Sequence, residues 1–136
     1  MDRVLNGRWQ HVGEPAFDAY LLRSRLPAAI KIAGSLGARV ILATEPYNQR
    51  GEQPNGSLFP EDIPARVDAW NRLLRAVAAE QHLTVADFGS RVSPGGKFTW
   101  TVHGVQVRSD GVHLTPQGVQ QWVAPWLFRV LLRSAP

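Results

Sequence analysis

The sequence predicts a single α/β domain built around a small parallel sheet, and three stretches carry that expectation. Ala38-Arg39-Val40-Ile41-Leu42-Ala43-Thr44 is short and almost continuously apolar, the pattern of a strand covered on both faces, as in parallel sheets. From Asp62 a helix follows, with Pro64 in its first turn and Val67, Trp70, Leu73, Leu74 and Val77 along one face. Leu83-Thr84-Val85-Ala86-Asp87-Phe88 then reads as a second strand. Strand, helix and strand make one crossover unit, which in a shared sheet is parallel and right-handed.

The remaining elements fall around that unit. Residues 14–36 read as a helix, with Phe17, Leu21, Leu22, Leu26, Ile30 and Ile32 as its apolar stripe; Pro27 is expected to kink or split it and Gly37 to end it. The segment EPYNQRGEQPNGSLFPED is too polar for a core and long for a connection. It leaves the C-terminal end of the first strand, where open α/β sheets bind ligands, so Glu45, Tyr47 and Asn48 are candidate substrate-binding residues; the alternative is a plain surface loop. Ser93-Pro94-Gly95-Gly96 signals a turn, and the next run alternates Trp100, Val102, Val105 and Val107 around His103-Gly104, as a β-hairpin does. A last helix starts near Pro116 with Thr115 as N-cap, carries Val119, Trp122, Val123, Trp126, Leu127 and Val130, and meets a possible break at Pro125.

Composition limits the function classes. A chain of 136 residues, 44% hydrophobic and 19% charged, fits one globular domain. The formal charge of +4 comes from arginines scattered along expected helices, with no basic block of the kind that binds nucleic acid, so the basicity reads as solvated surface. Without cysteine there is no disulfide framework or thiolate metal site, and the redox compartment stays open. MDRVLNGRWQHVGEP contains no apolar signal segment and no run is long enough to span a bilayer; as written, the chain reads as cytoplasmic.

The chemistry concentrates in SDGVHLTPQG, residues 109–118. A tight turn at Gly111 would let the Asp110 carboxylate accept one ring N–H of His113 and leave the other nitrogen facing a cleft, which is what a hydrolytic triad asks of its acid and base. The alternative is that Asp110 is only a turn former ahead of a helix. His11 and His82, near expected element ends, read as surface residues, and His103 as a hairpin-turn residue. A metal site from Glu45, His103, Asp110 and His113 lacks any recognised ligand spacing. Trp70, Trp122 and Trp126 sit at core spacing, whereas Trp9 and Trp100 are free to border a cleft.

DGVHLTPQG resembles the last conserved block of the SGNH (GDSL-type) hydrolases, with Asp110 and His113 in the acid and base positions. GRWQHVGEPAFDAYL, ARVILATEPY, ARVDAWNRLL and GVQVRSDGVHLTPQG are similar to the SGNH domains at the C-termini of actinobacterial membrane acyltransferases of the acyltransferase-3 type, so the resemblance covers nearly the whole chain. It implies a three-layer α/β/α, flavodoxin-like fold and serine esterase or O-acyl transfer chemistry without metal or organic cofactor. It also implies a small acylated substrate or cell-envelope glycan, and an extracytoplasmic location if a membrane domain is attached. Arg66, Asp68 and Asn71 match a recurring pattern of these domains and read first as structural hydrogen-bonding residues.

The departure from the family lies in the nucleophile. The Gly-Asp-Ser block and the later Gly and Asn of the oxyanion hole have no counterpart here. Residues 1–136 therefore read as a single partial SGNH-like domain, with Met1 an internal methionine of a longer one. Ser24, Ser35, Ser57, Ser93, Ser109 and Ser134 lie in expected helices, loops, turns or the tail, and only Ser90, after a strand and a glycine, imitates a nucleophile; the Pro-Gly-Gly turn replaces the helix it would need. The isolated chain is expected to be inactive, since the loss of one oxyanion donor alone costs about 10²–10³ in rate. The competing expectation is a non-catalytic binding module that dimerises through an exposed sheet edge.

Overall fold

The computed structural model describes residues 2–134, so the expectation attached to Met1 lies outside it. The chain divides into two compact units, one comprising residues up to Leu42 with Pro64–Val85, the other Ala43–Ile63 with the residues from Ala86 onward.

The first unit opens with a hairpin that the sequence reading did not include. Strands β1 (Asp2–Leu5) and β2 (Arg8–His11) pair antiparallel, Asp2 opposite His11 and Leu5 opposite Arg8. Asn6 and Gly7 turn the chain at φ 52° and 74°, the positive pair that a two-residue hairpin loop requires and that Asn-Gly favours. Helix α1 (Pro15–Tyr20) follows, then a single wide π turn (Leu21–Arg25) and helix α2 (Leu26–Ala33).

Pro27 therefore does not split the helix. A proline lacks the N–H that would bond back one turn, and its ring crowds the carbonyl there. A π turn just before it relaxes that conflict while the backbone stays in the right-handed helical region at both junctions. The end also differs from expectation. Gly34, not Gly37, caps α2, and Gly37 at φ 79° closes the next turn through its N–H to the Gly34 carbonyl (3.0 Å).

Helix α3 (Pro64–Glu80) presents the expected face, with Val67, Leu73, Leu74 and Val77 buried. Ala69 and Leu73 pack with Val12, Phe17 and Leu21 in a core ringed by Leu5, Tyr20, Leu22, Leu26 and Trp70. Arg66 is ion-paired with Asp2.

The crossover strands are present but short. β3 (Ile41–Ala43) and β4 (Thr84–Ala86) form a two-stranded parallel sheet, and among the described residues no third strand joins it. Both ends of the expected longer strands are taken by other bonds or by solvent. Ala38 and Arg39 are exposed and outside the ladder. Asp87 leaves β4 to cap helix α4 (Phe88–Val92), accepting a hydrogen bond from the Ser90 N–H. Nor is β3 covered on both faces, because Ile41 and Leu42 are half-buried and Ala43 is exposed.

In the second unit, β5 (Thr101–Val102) and β6 (Val105–Gln106) form the expected hairpin, Val102 opposite Val105, turned by His103 at φ 48° and Gly104 at φ 80°. Past β6, the Val107 N–H bonds the Trp100 carbonyl and the Thr115 N–H bonds the Val107 carbonyl. Thr115 then caps α5 (Pro116–Gly118), its hydroxyl accepting from the Gly118 N–H at 2.8 Å. A second π turn (Val119–Val123) leads into α6 (Ala124–Arg133), and Pro125 follows it as Pro27 follows the first. Arg91 on α4 lies over the Trp122 ring, 3.4 Å from its centroid, and donates to the Trp122 carbonyl, while the indole N–H returns a bond to the Arg91 carbonyl.

Candidate functional site

The site is built on the turn between Arg108 and Leu114, whose backbones form an antiparallel bridge closed by the Ser109 N–H to the His113 carbonyl (3.0 Å). Gly111, at φ 84°, reverses the chain. Asp110 and His113 thus fall three residues apart across a turn narrow enough for their side chains to meet. One carboxylate oxygen of Asp110, Oδ1, accepts from the backbone N–H groups of His113 (2.8 Å) and Val112 (3.1 Å). The other, Oδ2, lies 2.8 Å from His113 Nδ1.

These bonds settle the electrostatics of the pair. The His113 backbone N–H, then the ring N–H, then the Val112 N–H hold the Asp110 carboxyl down at about 2, because each donor favours the ionised acceptor. An ionised carboxylate can only accept. In the neutral ring the proton between the two groups therefore belongs to Nδ1, and Nε2 carries the lone pair. Both side chains are exposed, and Nε2 has no hydrogen-bond partner among the described residues.

Beneath the turn lies a side chain that composition misreads. Arg108 is 1% exposed, which corrects the expectation that the arginines are solvated and on helices. Its Nη1 donates to the Val112 carbonyl at 2.9 Å and its Nη2 to the Tyr47 carbonyl at 3.4 Å, while Nε is buried without a partner. Burial pushes the guanidinium below its ordinary value, and the Glu45 and Asp110 carboxylates oppose that shift. No local signal separates Arg108 from the chain's other arginines, since its acceptor at residue 47 is remote in sequence.

The loop leaving β3 reaches the same turn. The Gln49 N–H bonds the Gly111 carbonyl (3.0 Å), and Tyr47 offers its carbonyl to Arg108 and to the Ser93 hydroxyl (3.4 Å). Tyr47 and Asn48 are half-buried; Glu45 is exposed, with the Asn48 amide donating to its carboxylate at 3.4 Å. The structure brings this loop to the Asp110–His113 turn through backbone bonds. At its root Thr44 is buried, its hydroxyl donating to Asp87 Oδ1 and accepting from the Gly89 N–H, both at 2.8 Å.

Close backbone approaches consolidate the cluster. A Cβ at Gly89 would lie 2.6 Å from the Glu45 carbonyl oxygen, and one at Gly118 would lie 2.8 Å from Val107 Cα. Thr44, Arg108 and these glycines escape sequence reasoning because each owes its role to a neighbour far along the chain.

No serine completes the pair among the described residues. The Ser109 hydroxyl donates to the His113 carbonyl (3.2 Å) instead of meeting the ring, and that of Ser93 faces Tyr47. Ser90 stands exposed on α4, a short helix between the expected strand and the Ser93-Pro94-Gly95-Gly96 turn that the sequence did not predict, and its hydroxyl makes no hydrogen bond to His113. His103 lies against Trp122, ring centroids 5.1 Å apart, and no cluster of three or more His, Cys, Asp or Glu side chains suited to a metal forms among the described residues. No helix there is long and apolar enough to cross a membrane.

No protein-family model matches the chain, and no curated protein matches it. The chemistry of the site rests on its geometry. An imidazole with one nitrogen tied to an ionised carboxylate and the other free is an oriented proton acceptor, whose protonated form the carboxylate then stabilises.

Proposed function

We propose that Asp110 and His113 are the acid and general base of a serine-type acyl-transfer site of the SGNH kind, acting in ester hydrolysis or O-acyl transfer. The observation that carries this reading is the 2.8 Å contact between His113 Nδ1 and Asp110 Oδ2, with Nε2 left free. Its support from sequence is the resemblance of DGVHLTPQG to the final SGNH block; a small parallel sheet in a mixed α/β chain is compatible with a flavodoxin-like arrangement. Glu45, Tyr47 and Asn48 would border the acyl substrate, since their loop is bonded to the turn. The reaction needs a hydroxyl nucleophile within reach of Nε2 and separate donors for the oxyanion, and no described serine bonds the His113 ring.

Two measurements test this. Nitrogen-15 NMR of His113 is expected to show the Nδ1–H tautomer at neutral pH; an Nε2–H tautomer would overturn the base assignment. Residues 1–136 alone are expected to show no hydrolysis of a short-chain aryl ester that His113→Ala abolishes, and robust His113-dependent turnover would overturn the need for an external nucleophile.

A second reading, a binding module that assembles through its sheet, is favoured by the two-stranded β3–β4 sheet, which offers unpaired edges among the described residues. Sedimentation equilibrium separates the two. A dimer whose association is lost on substituting proline in β3 favours the module, and a monomer disfavours it.

A further inference from the structure

Arg108 is the most deeply buried charged side chain among the described residues, and a general base does not by itself require it. Burying a guanidinium carries a large desolvation penalty unless its donors find partners. An apolar residue at the same position would avoid that penalty. What the guanidinium adds is a planar fork of donors, and where the fork points identifies what it holds.

Its two bonds reach two different segments. Nη1 grips the Val112 carbonyl, inside the turn, and Nη2 the Tyr47 carbonyl, in the loop leaving β3. The Val112 carbonyl and the His113 N–H belong to one peptide plane. That plane is held on one side by Arg108 and on the other by Asp110 Oδ1, which accepts the His113 N–H at 2.8 Å. With that plane fixed, and the His113 carbonyl on the next peptide held by the Ser109 N–H (3.0 Å), rotation about the His113 N–Cα bond is restricted and the direction of Cα–Cβ is set. The imidazole keeps only its side-chain torsions, and the Nδ1–Oδ2 bond removes those.

We propose that Arg108 is the positioning residue of the Asp110–His113 pair, its buried guanidinium fastening the turn that carries the pair to the loop leaving β3, so that His113 Nε2 points in one direction. This rests on the general-base reading above. It assigns Arg108 no contact with substrate, because the side chain is sealed from solvent. It also predicts that lysine is a poor substitute, since one ammonium group lacks the planar fork that reaches two carbonyls set apart in space.

The test uses the full chain, nitrogen-15 labelled, as wild type and as Arg108→Lys and Arg108→Gln. In the wild type the turn is expected to be as ordered on the fast timescale as α3, with the Arg108 guanidinium protons exchanging slowly. In both variants, hydrogen exchange at the His113 amide is expected to rise roughly tenfold or more, and the Nδ1–H preference of the ring to weaken, while the chemical shifts of α3 stay in place.

Unchanged exchange and tautomer in both folded variants would overturn the proposal. If both variants unfold, the wild type decides: backbone order parameters below about 0.6 in the turn, or solvent-rate exchange of the guanidinium protons, overturn it, and an ordered turn with protected protons sustains it. The wild-type tautomer reports separately on the general base. An Nε2–H ring in an ordered, Arg108-dependent turn would overturn the base assignment while leaving the fastening role of Arg108 intact.

Discussion

Gly111→Ala is the sharpest single perturbation of the site. A Cβ there would lie 2.0 Å from the Gln49 carbonyl oxygen and 2.9 Å from its carbon, and the obstacle is backbone, which cannot swing aside as a side chain does. The residue also sits at φ 84°, where an L side chain costs about 1–2 kcal/mol. Relieving the overlap means parting the two segments and losing the 3.0 Å bond from the Gln49 N–H to the Gly111 carbonyl, a further loss of about 1 kcal/mol. Restricting the unfolded chain returns about 0.4–1 kcal/mol, so the net destabilisation is about 1–3 kcal/mol.

Gly104→Ala is the internal control. At φ 80° it bears similar backbone strain, but nothing lies within 4 Å of its added Cβ, and its effect on the unfolded chain is the same. The difference between the two variants therefore isolates the close approach, expected to be worth about 1 kcal/mol. Urea denaturation followed by tryptophan fluorescence measures it. A Gly111→Ala protein no less stable than the Gly104→Ala protein would refute the claim that the turn and the loop leaving β3 are held in contact.

Further expectations follow from the same geometry. Because the carboxyl of Asp110 is held at about 2 in the folded chain, against about 3.9 in an unfolded one, its contribution to stability is complete above about pH 4 and is lost as pH falls through about 2. The amide proton shifts of Val112 and His113 should titrate together with a midpoint near that lower value; a midpoint near 4 would show that the turn does not hold the carboxylate. Thr115→Ala removes both the N-cap bond to the Gly118 N–H and the hydroxyl bond to the Gln106 carbonyl, and is expected to lower stability by about 1–2 kcal/mol. The same urea transition measures it, with Thr115→Ser restoring most of the loss.

Much of the local structure is legible in the residues because its causes are local. The face of α3 follows from apolar periodicity, the turn at residues 103 and 104 from a glycine placed between alternating valines, and the start of α5 from Thr115 ahead of a proline. Asn6-Gly7 carries the same kind of signal for the first hairpin. The Asp110–His113 bond belongs to this class as well, since the partners lie three residues apart across a glycine and the turn alone brings them together.

What the sequence by itself determined, then, is the set of elements whose bonds close within a few residues, including the Asp110–His113 contact. Tertiary structure decided the rest. It shortened β3 and β4: Ala38 and Arg39 stay exposed outside the ladder, and Asp87 leaves its strand to cap α4. It carried the helices past Pro27, where a kink or split was expected, and past Pro125, where a break was, through π turns. It also buried Arg108, which composition assigns to solvent. A guanidinium leaves water only when fixed acceptors await it; one of its acceptors, the Tyr47 carbonyl, lies on a segment 61 residues away, and only the folded chain brings the two together.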